Sequence, residues 1–212
     1  MYIPATNAEH RLDVMHDFIE SRPLGALVTA SADGMFATHL PLALDRARGA
    51  HGTLQGHLAR ANPHHRLPSI TAETLVIFTG PDAYVTPSWY PSKAEHGKTV
   101  PTWNYVAVHA YGTLRWIEDP AWLRAHLESL TGRHEATREH PWAVSDAPDD
   151  YVAQQLRAIV GLEIELTRLE GRWKMSQNRN AADIDGVVRG LEASPDPVDR
   201  TVARLVEERK PR

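Results

Sequence analysis

Seven runs of strand-type residues follow one another between residues 24 and 171, and most gaps between them are too short to hold a helix. A parallel sheet needs a crossover of about a dozen residues between successive strands, whereas antiparallel neighbours need only a turn. The chain therefore reads as mainly β, an antiparallel barrel with peripheral helices. "LGALVTASADGMFATHLPLAL" holds two apolar runs around Asp33-Gly34, a dipeptide suited to a tight hairpin. "TLQGHL", "TLVIFTG", "AYVTPSWY", "TWNYVAVHAYGTLRWI" and "VGLEIELTRLEG" supply the other strands. Within the last, Leu162, Ile164 and Leu166 alternate with Glu163, Glu165 and Thr167, which predicts one face in the core and one in water. Gly80-Pro81 is expected to end its strand, and Pro87 to put the latter half of the next at an edge or bend.

Helical spacing marks the periphery. Leu12, Met15, His16 and Ile19 share one face of a helix that Thr6 or Asn7 would cap and Pro23 would stop. Asp119-Pro120 opens a helix over 120–133, and another is expected over 149–158. The tail, roughly 181–210, carries Ile184, Val187, Val188 and Leu191, then Val198, Val202, Leu205 and Val206, broken at Pro195 and Pro197. "ANPHHRLPSI" (61–70) reads as a loop or short helix and 91–100 as a surface loop. No linker separates domains: residues 1–190 are expected to form one domain, with 191–212 as its helical tail.

Several function classes fall away. With no cysteine there is no disulfide, thiolate metal site, iron–sulfur cluster or cysteine nucleophile, and a reducing cytoplasm suits the chain. A net charge of −4 opposes a broad electrostatic grip on nucleic acid. No apolar run approaches the ~18 residues of a membrane span, and "MYIPATNAEHR" has no signal-peptide character, so no membrane partner is expected. Dinucleotide, P-loop, zincin and nucleophile-elbow motifs are missing, and "HEATREH" has the wrong spacing for a zincin helix. His64-His65 with Glu135, Glu139 and His140 makes a metal site only on paper, and no metal is expected.

Four clusters remain. Thr38-His39-Leu40-Pro41 ends the hairpin's second strand; a histidine there is more often a core or rim group than a catalyst. Gly56-His57 leads to Asn62-Pro63, a turn whose N–H groups can face an anion or simply end a strand. Tyr84, Trp89, Tyr90, Trp103 and Tyr105 gather aromatic surface, and Asn104 sits between two of the rings, an arrangement that either packs a core or stacks a planar heterocycle. "KMSQNRN" (174–180) packs hydrogen-bonding side chains around Met175 alone, as a ligand-facing segment or a water-facing cap would. None supplies a compelling acid or base, so no catalytic residue is assigned and enzymatic activity is left open.

"THLPL", "GHLARANPH", "FTGPDAYVTPSWY", "VPTWNYVAVHAYG" and "IVGLEIELTRLEGRWKMSQNRN" resemble, in order and spacing, the PaiB family of FMN-binding negative transcriptional regulators, over about residues 1–190. The resemblance implies the FMN-binding split barrel, a homodimer with FMN at the subunit interface, and a role as repressor of sporulation and protease genes. Any enzymatic activity would be that of an FMN-dependent oxidoreductase. One subunit would supply Thr29, Thr38, His39, Leu40, Pro41, Gly56, His57 and Asn62; the other would supply Trp103, Asn104, Lys174, Gln177, Asn178 and Arg179, with Lys174 and Arg179 on the phosphate. The aromatic segment 84–105 is expected in the interface, because unpaired barrel edges and exposed rings favour association. Two other readings stand beside a flavin-dependent redox or sensing role. One is a DNA-binding repressor, for which no helix-turn-helix with a basic recognition face is visible. The other is haem binding or degradation through His39 or His57.

Overall fold

The computed structural model describes residues 1–68 and 73–211. The last two residues of the 61–70 segment, Ser69 and Ile70, lie outside the described residues, as does the tail cation Arg212. Along the chain run β1 (Ala8–Glu9), α1 (Leu12–Ser21), β2 (Leu24–Ser31), β3 (Gly34–Asp45), β4 (Thr53–Ala59) and β5 (Thr74–Val85). Then come α2 (Ser92–His96), β6 (Thr102–Ile117), α3 (Pro120–Glu135), α4 (Asp149–Arg157), β7 (Ile159–Lys174), α5 (Ala181–Glu192) and α6 (Pro197–Glu208). The strands are ordered β1-β7-β4-β3-β2-β5-β6, and β6 also pairs with β7, so six strands close into a barrel and β1 extends from β7. The registered pairs β1–β7, β2–β3, β2–β5, β3–β4 and β4–β7 are all antiparallel. Closure leaves few free edges, which is the physical advantage of a barrel. Among the described residues, no helix is long and apolar enough to cross a membrane.

The chain groups into two compact units. The first comprises Met1–Met15, Thr79–His109 and Glu170 onward. Its buried residues include Ala83, Val85, Tyr90, Val106, Val108, Trp173 and Met175, together with Ile184, Val187 and Leu191 of α5 and Val202, Ala203 and Val206 of α6. The second comprises His16–Phe78 and Ala110–Leu169, with Leu27, Leu42, Leu54, Val76, Phe78, Leu162 and Ile164 at its centre. α3 and α4 bury Leu123, Val152 and Leu156 in a smaller cluster of that unit. The boundary expected between residues 190 and 191 falls inside α5.

Most local expectations hold for the expected reasons. β2 and β3 meet at Gly34, whose φ of 117° a side chain rarely adopts. Asp119 accepts hydrogen bonds from the Ala121 and Trp122 amides, so α3 starts at Pro120 with its first N–H groups satisfied. Asn180 and Asp196 cap α5 and α6 in the same way. In α1, Met15, His16 and Ile19 are buried, but the expected Thr6 or Asn7 cap is replaced by a 3-10 turn and β1 ahead of the helix.

Three expectations need correction. Seven strands were expected and seven are present among the described residues, yet not the same seven. β5 runs unbroken through Gly80-Pro81, joining two expected strands, while β1 had no apolar pattern to announce it. Residues 92–96 form α2 rather than a loop, because Asp183 accepts from the Ser92 amide (3.1 Å) and hydroxyl (2.7 Å) and thereby anchors the start of that turn. Glu163 belongs to the face predicted to be in water, but it is buried.

In the first unit α5 lies against the 3-10 turn Pro87–Trp89 so closely that a Cβ at Gly186 would stand 1.9 Å from the Trp89 carbonyl oxygen. Ordinarily a glycine inside a helix costs about 1 kcal/mol relative to alanine. Gly186→Ala should instead destabilise the protein by roughly 1–3 kcal/mol, because the whole turn must move. Gly132→Ala, in α3 with nothing within 4 Å, should stabilise it by up to about 1 kcal/mol. Urea unfolding of the two variants checks both signs.

Candidate functional site

The candidate residues divide between the two units. In the second, the β2–β3 hairpin sets Thr29 and Thr38 beside the 3-10 turn Pro63–Arg66, which Asn62 caps by accepting from the His64 amide (3.0 Å). That cap swings His64 inward, where it is 1% exposed. Its two ring nitrogens meet the Thr29 and Thr38 hydroxyls, both at 2.8 Å, and Asn62 donates to Thr38 at 3.2 Å. Phe36 and Trp116 pack edge-on to the imidazole, and burial lowers its pKa. A neutral imidazole donates through one nitrogen and accepts through the other, so two hydroxyls satisfy it completely. Thr29, Thr38 and Asn62 are thus brought together by a histidine that the sequence suggests only as a metal ligand. Its available signal was the Asn-Pro-x start, which fixes the direction of the next side chain.

The neighbouring candidates separate from that group. His39 and Pro41 are exposed, Leu40 is core, and Gly56 has no room for a Cβ, which would come within 2.8 Å of Leu42 Cδ2. His57 turns instead to His126 of α3, with Nδ1 3.1 Å from Nε2. His126 stacks on Trp122, whose own ring occupies the space left by Gly161. Burial lowers the pKa of His57, and burial together with the nearby His57 lowers that of His126 to about 4. The pair is therefore neutral, one ring donating to the other. Trp122 donates to Glu163 at 3.2 Å, and Glu163 also accepts from Arg48, Arg115 and Gln55. The Arg48 hydrogen bonds lead in holding its carboxyl well below the usual range, against the opposing effect of burial.

In the first unit the 174–180 segment answers its own hydrogen bonds to a large extent. Asn104, fully buried, exchanges bonds with the Ser176 hydroxyl at 3.0 and 3.2 Å. Gln177 accepts from the Met175 amide (2.7 Å) and Asn7 (3.1 Å) and donates to the Trp173 carbonyl. Ser176 adopts a φ of 63°, the local cost of turning β7 into α5. Lys174 donates to the Thr102 hydroxyl and the Trp103 carbonyl. Arg179 lies over the Tyr90 ring at 4.5 Å, and Asn178 is exposed. The Trp103 ring remains 52% exposed, edge-on to Tyr84 at 5.9 Å.

One property of this segment is not resolved internally. Lys174, Arg172 and Arg179 carry three positive charges, and among the described residues none of them forms an ion pair with a carboxylate. Burial, then Arg172, then Arg179 lower the pKa of Lys174. Arg172 Nε is buried without a hydrogen-bond partner. Arg172 stands two residues before Lys174 in β7, hence on the same face, a relation that the alternation of the strand makes available from sequence. Uncompensated cations with unused donors are the chemistry that receives a phosphate.

Residues 1–168 match the family model described as "Putative FMN-binding domain". Protease synthase and sporulation protein PAI 2 of Bacillus subtilis is 33% identical, over 99% of this chain and 98% of its own. Uncharacterized protein AN0679 of Emericella nidulans is 35% identical, over 99% and 97%. Among solved structures, the FAD and heme binding protein from Mycobacterium smegmatis superposes with a TM-score of 0.58 at 18% identity, covering 84% of this chain and 79% of that one. The flavocytochrome Anf3 from Azotobacter vinelandii gives 0.58 at 12%, covering 84% and 74%. At such identities the two structures show the shared split-barrel fold alone.

The histidine pair sets a pH dependence. Unfolded, His126 titrates near 6.5; folded, near 4. Between those values the unfolded chain binds the extra proton, so stability is full above about 6.5 and declines as the pH falls toward 4. The loss should amount to roughly 2–3 kcal/mol. His126→Phe, which keeps the stack on Trp122, should flatten the decline in that window. Urea midpoints at pH 7, 5.5 and 4.5 measure it.

Proposed function

The chain belongs to the FMN-binding domain family, and from that premise we propose that it is a homodimeric flavoprotein that seats the FMN phosphate on Arg172, Lys174 and Arg179. The carrying observation is the charge imbalance at the end of β7: three cations, no carboxylate partner among the described residues, and a buried guanidinium nitrogen left over. A phosphate dianion supplies what that cluster lacks. Trp103, whose carbonyl accepts from Lys174, offers an exposed flat ring, and the buried Asn104–Ser176 pair fixes the strand that presents it. The donor set therefore fits a phosphorylated flavin. The exposed His39 and Pro41, with the half-buried Thr38 and Asn62, are assigned to the ring system from the other protomer, with Thr29 supporting them through His64. Neutral hydrogen-bonding groups suffice there.

Bound FMN supplies one- and two-electron redox chemistry. The protein's own residues bind and orient. Burial favours the neutral form of His57, His64 and His126, and none is paired with a carboxylate that would make it a strong base. The reading is thus a flavin-dependent redox or flavin-sensing protein of a reducing cytoplasm. A sensing role agrees with the sporulation function named for the Bacillus subtilis relative. Direct DNA binding has less support: in the tail Arg209 pairs with Glu9 and Lys210 with Asp185, while Arg200 and Arg204 are engaged locally. Haem ligation by His57 would have to use Nε2, because Nδ1 is engaged by His126.

Lys174→Ala and Arg179→Ala should each weaken FMN roughly 10- to 100-fold, the equivalent of one charge-assisted contact of about 1.5–3 kcal/mol. Riboflavin, lacking the phosphate, should bind both variants like the unsubstituted protein. Flavin fluorescence titration reads this, and FMN affinity within a factor of two on the folded fraction would overturn the assignment.

Assembly has its own test. Trp89 packs partly against α5 and Tyr90 is buried, so the well-exposed large apolar side chains of the 84–105 segment are Tyr84, Val100 and Trp103. Light scattering at micromolar concentration should return the mass of two chains, and Trp103→Glu should shift it toward one.

A further inference from the structure

The second unit contains a cavity of about 560 Å³ that the flavin reading does not use. Pro120 and Leu123 of α3 and Ala153 and Leu156 of α4 form an apolar lining, and Arg60, Glu118 and Arg157 stand around it. A volume of this size lies within the usual ~300–1,000 Å³ of small-molecule sites. The charges are unequal in availability. Arg60 is a strut: its Nε and Nη2 donate to the carbonyls of Arg157 and Ile159, and its Nη1 lies 3.3 Å from Glu118. Arg157 has no ion pair among the described residues, and Glu118 is taken by Arg60. One wall is therefore neutralised and rigid, and one cation is left over an apolar floor.

We propose that this cavity binds a small amphipathic carboxylate, an aliphatic or arylalkyl acid, with its apolar body on Leu123, Ala153 and Leu156 and its carboxylate on Arg157. A guanidinium matches the planar carboxylate with two parallel hydrogen bonds. A phosphate or other compact anion would waste the apolar lining, and a neutral apolar ligand would leave Arg157 without a counter-charge.

Octanoate is a suitable probe, with octanamide as its uncharged counterpart. Titration calorimetry should show saturable octanoate binding and at least tenfold weaker octanamide binding. Arg157→Gln should weaken octanoate about tenfold or more and leave octanamide unchanged. Ala153→Trp, at an exposed position, should fill the cavity and abolish both. Thermal unfolding without ligand verifies that the variants fold, and octanoate-induced amide shifts confined to residues 118–123 and 153–157 provide a readout that needs no variant. No saturable octanoate binding, equal binding of octanamide, or indifference to both substitutions would overturn the proposal. Because FMN is absent from every arm, failure here leaves the flavin reading untouched.

Discussion

Glu163 is the constraint on which the second unit turns. It sits in β7 and is 4% exposed, yet it is ionised. Burying a carboxylate costs several kcal/mol unless other groups return what water supplied. Five donors do so here: two from Arg48 beyond β3, one from Arg115 in β6, one from Gln55 in β4 and one from Trp122 in α3. These four residues come from four different elements, so one side chain sets the relative placement of two strands, a loop and a helix. The Trp122 bond reaches furthest. It holds the indole over Gly161, the indole stacks on His126, and His126 meets His57. The same placement of α3 sets Leu123 in the floor of the cavity shared with α4.

The first unit is tied by polar pairs of a different kind. Asn104–Ser176, Gln177 with the Trp173 carbonyl, and Asp183 with Ser92 join neutral or singly charged groups, two of the three across long sequence separations. They engage Ser176 and Gln177 of the 174–180 segment without neutralising its cations. Around His64, by contrast, both ring nitrogens are engaged; at the end of β7 the cations have no carboxylate partner among the described residues. A binding site is expected where satisfaction fails, since a buried donor without a partner is a standing cost that a ligand can remove. The tail points the same way. Burial pushes the pKa of Glu9 up, but hydrogen bonds from Arg11 and Arg209 outweigh it and bring it to about 2, so that pairing holds α6 with cations already spent.

Where a single local signal was sufficient, the sequence was legible. The Asp33-Gly34 hairpin, the Asp119-Pro120 start, the buried face of α1 and the two tail helices each rest on one residue type or one period. Legibility ended where the outcome depends on a partner remote in the chain. Alternation placed Glu163 in water because it counts apolar residues, and nothing local reveals that Arg48, Gln55, Arg115 and Trp122 converge on it. Gly80-Pro81 resembled a strand end, yet β5 passes through it, because pairing with its neighbours outweighs a local preference. The helix at 92–96 depends on Asp183, about ninety residues away. Of the candidate site residues, Thr29, Thr38 and Asn62 do meet, but the histidine that joins them was visible only as half of a His-His dipeptide.

The two classes of polar group also bear on what kind of chemistry the protein can support. An enzyme that moves protons needs a group whose pKa lies near the working pH and whose lone pair or proton faces the substrate. His64 has both nitrogens engaged by threonines, and His57 and His126 are engaged with each other, with burial holding all three on the neutral side. Such histidines define shape and hydrogen-bond polarity without exchanging protons near neutrality. Among the described residues, Arg172, Lys174 and Arg179 in one unit and Arg157 in the other form no ion pair with a carboxylate. Cations of this kind are groups that can receive an anion. Chemistry that requires only positioning, electron or hydride transfer through a bound flavin or the reading of its redox state, is compatible with that inventory. General base catalysis by His64 would have to open its bonds to Thr29 and Thr38 first.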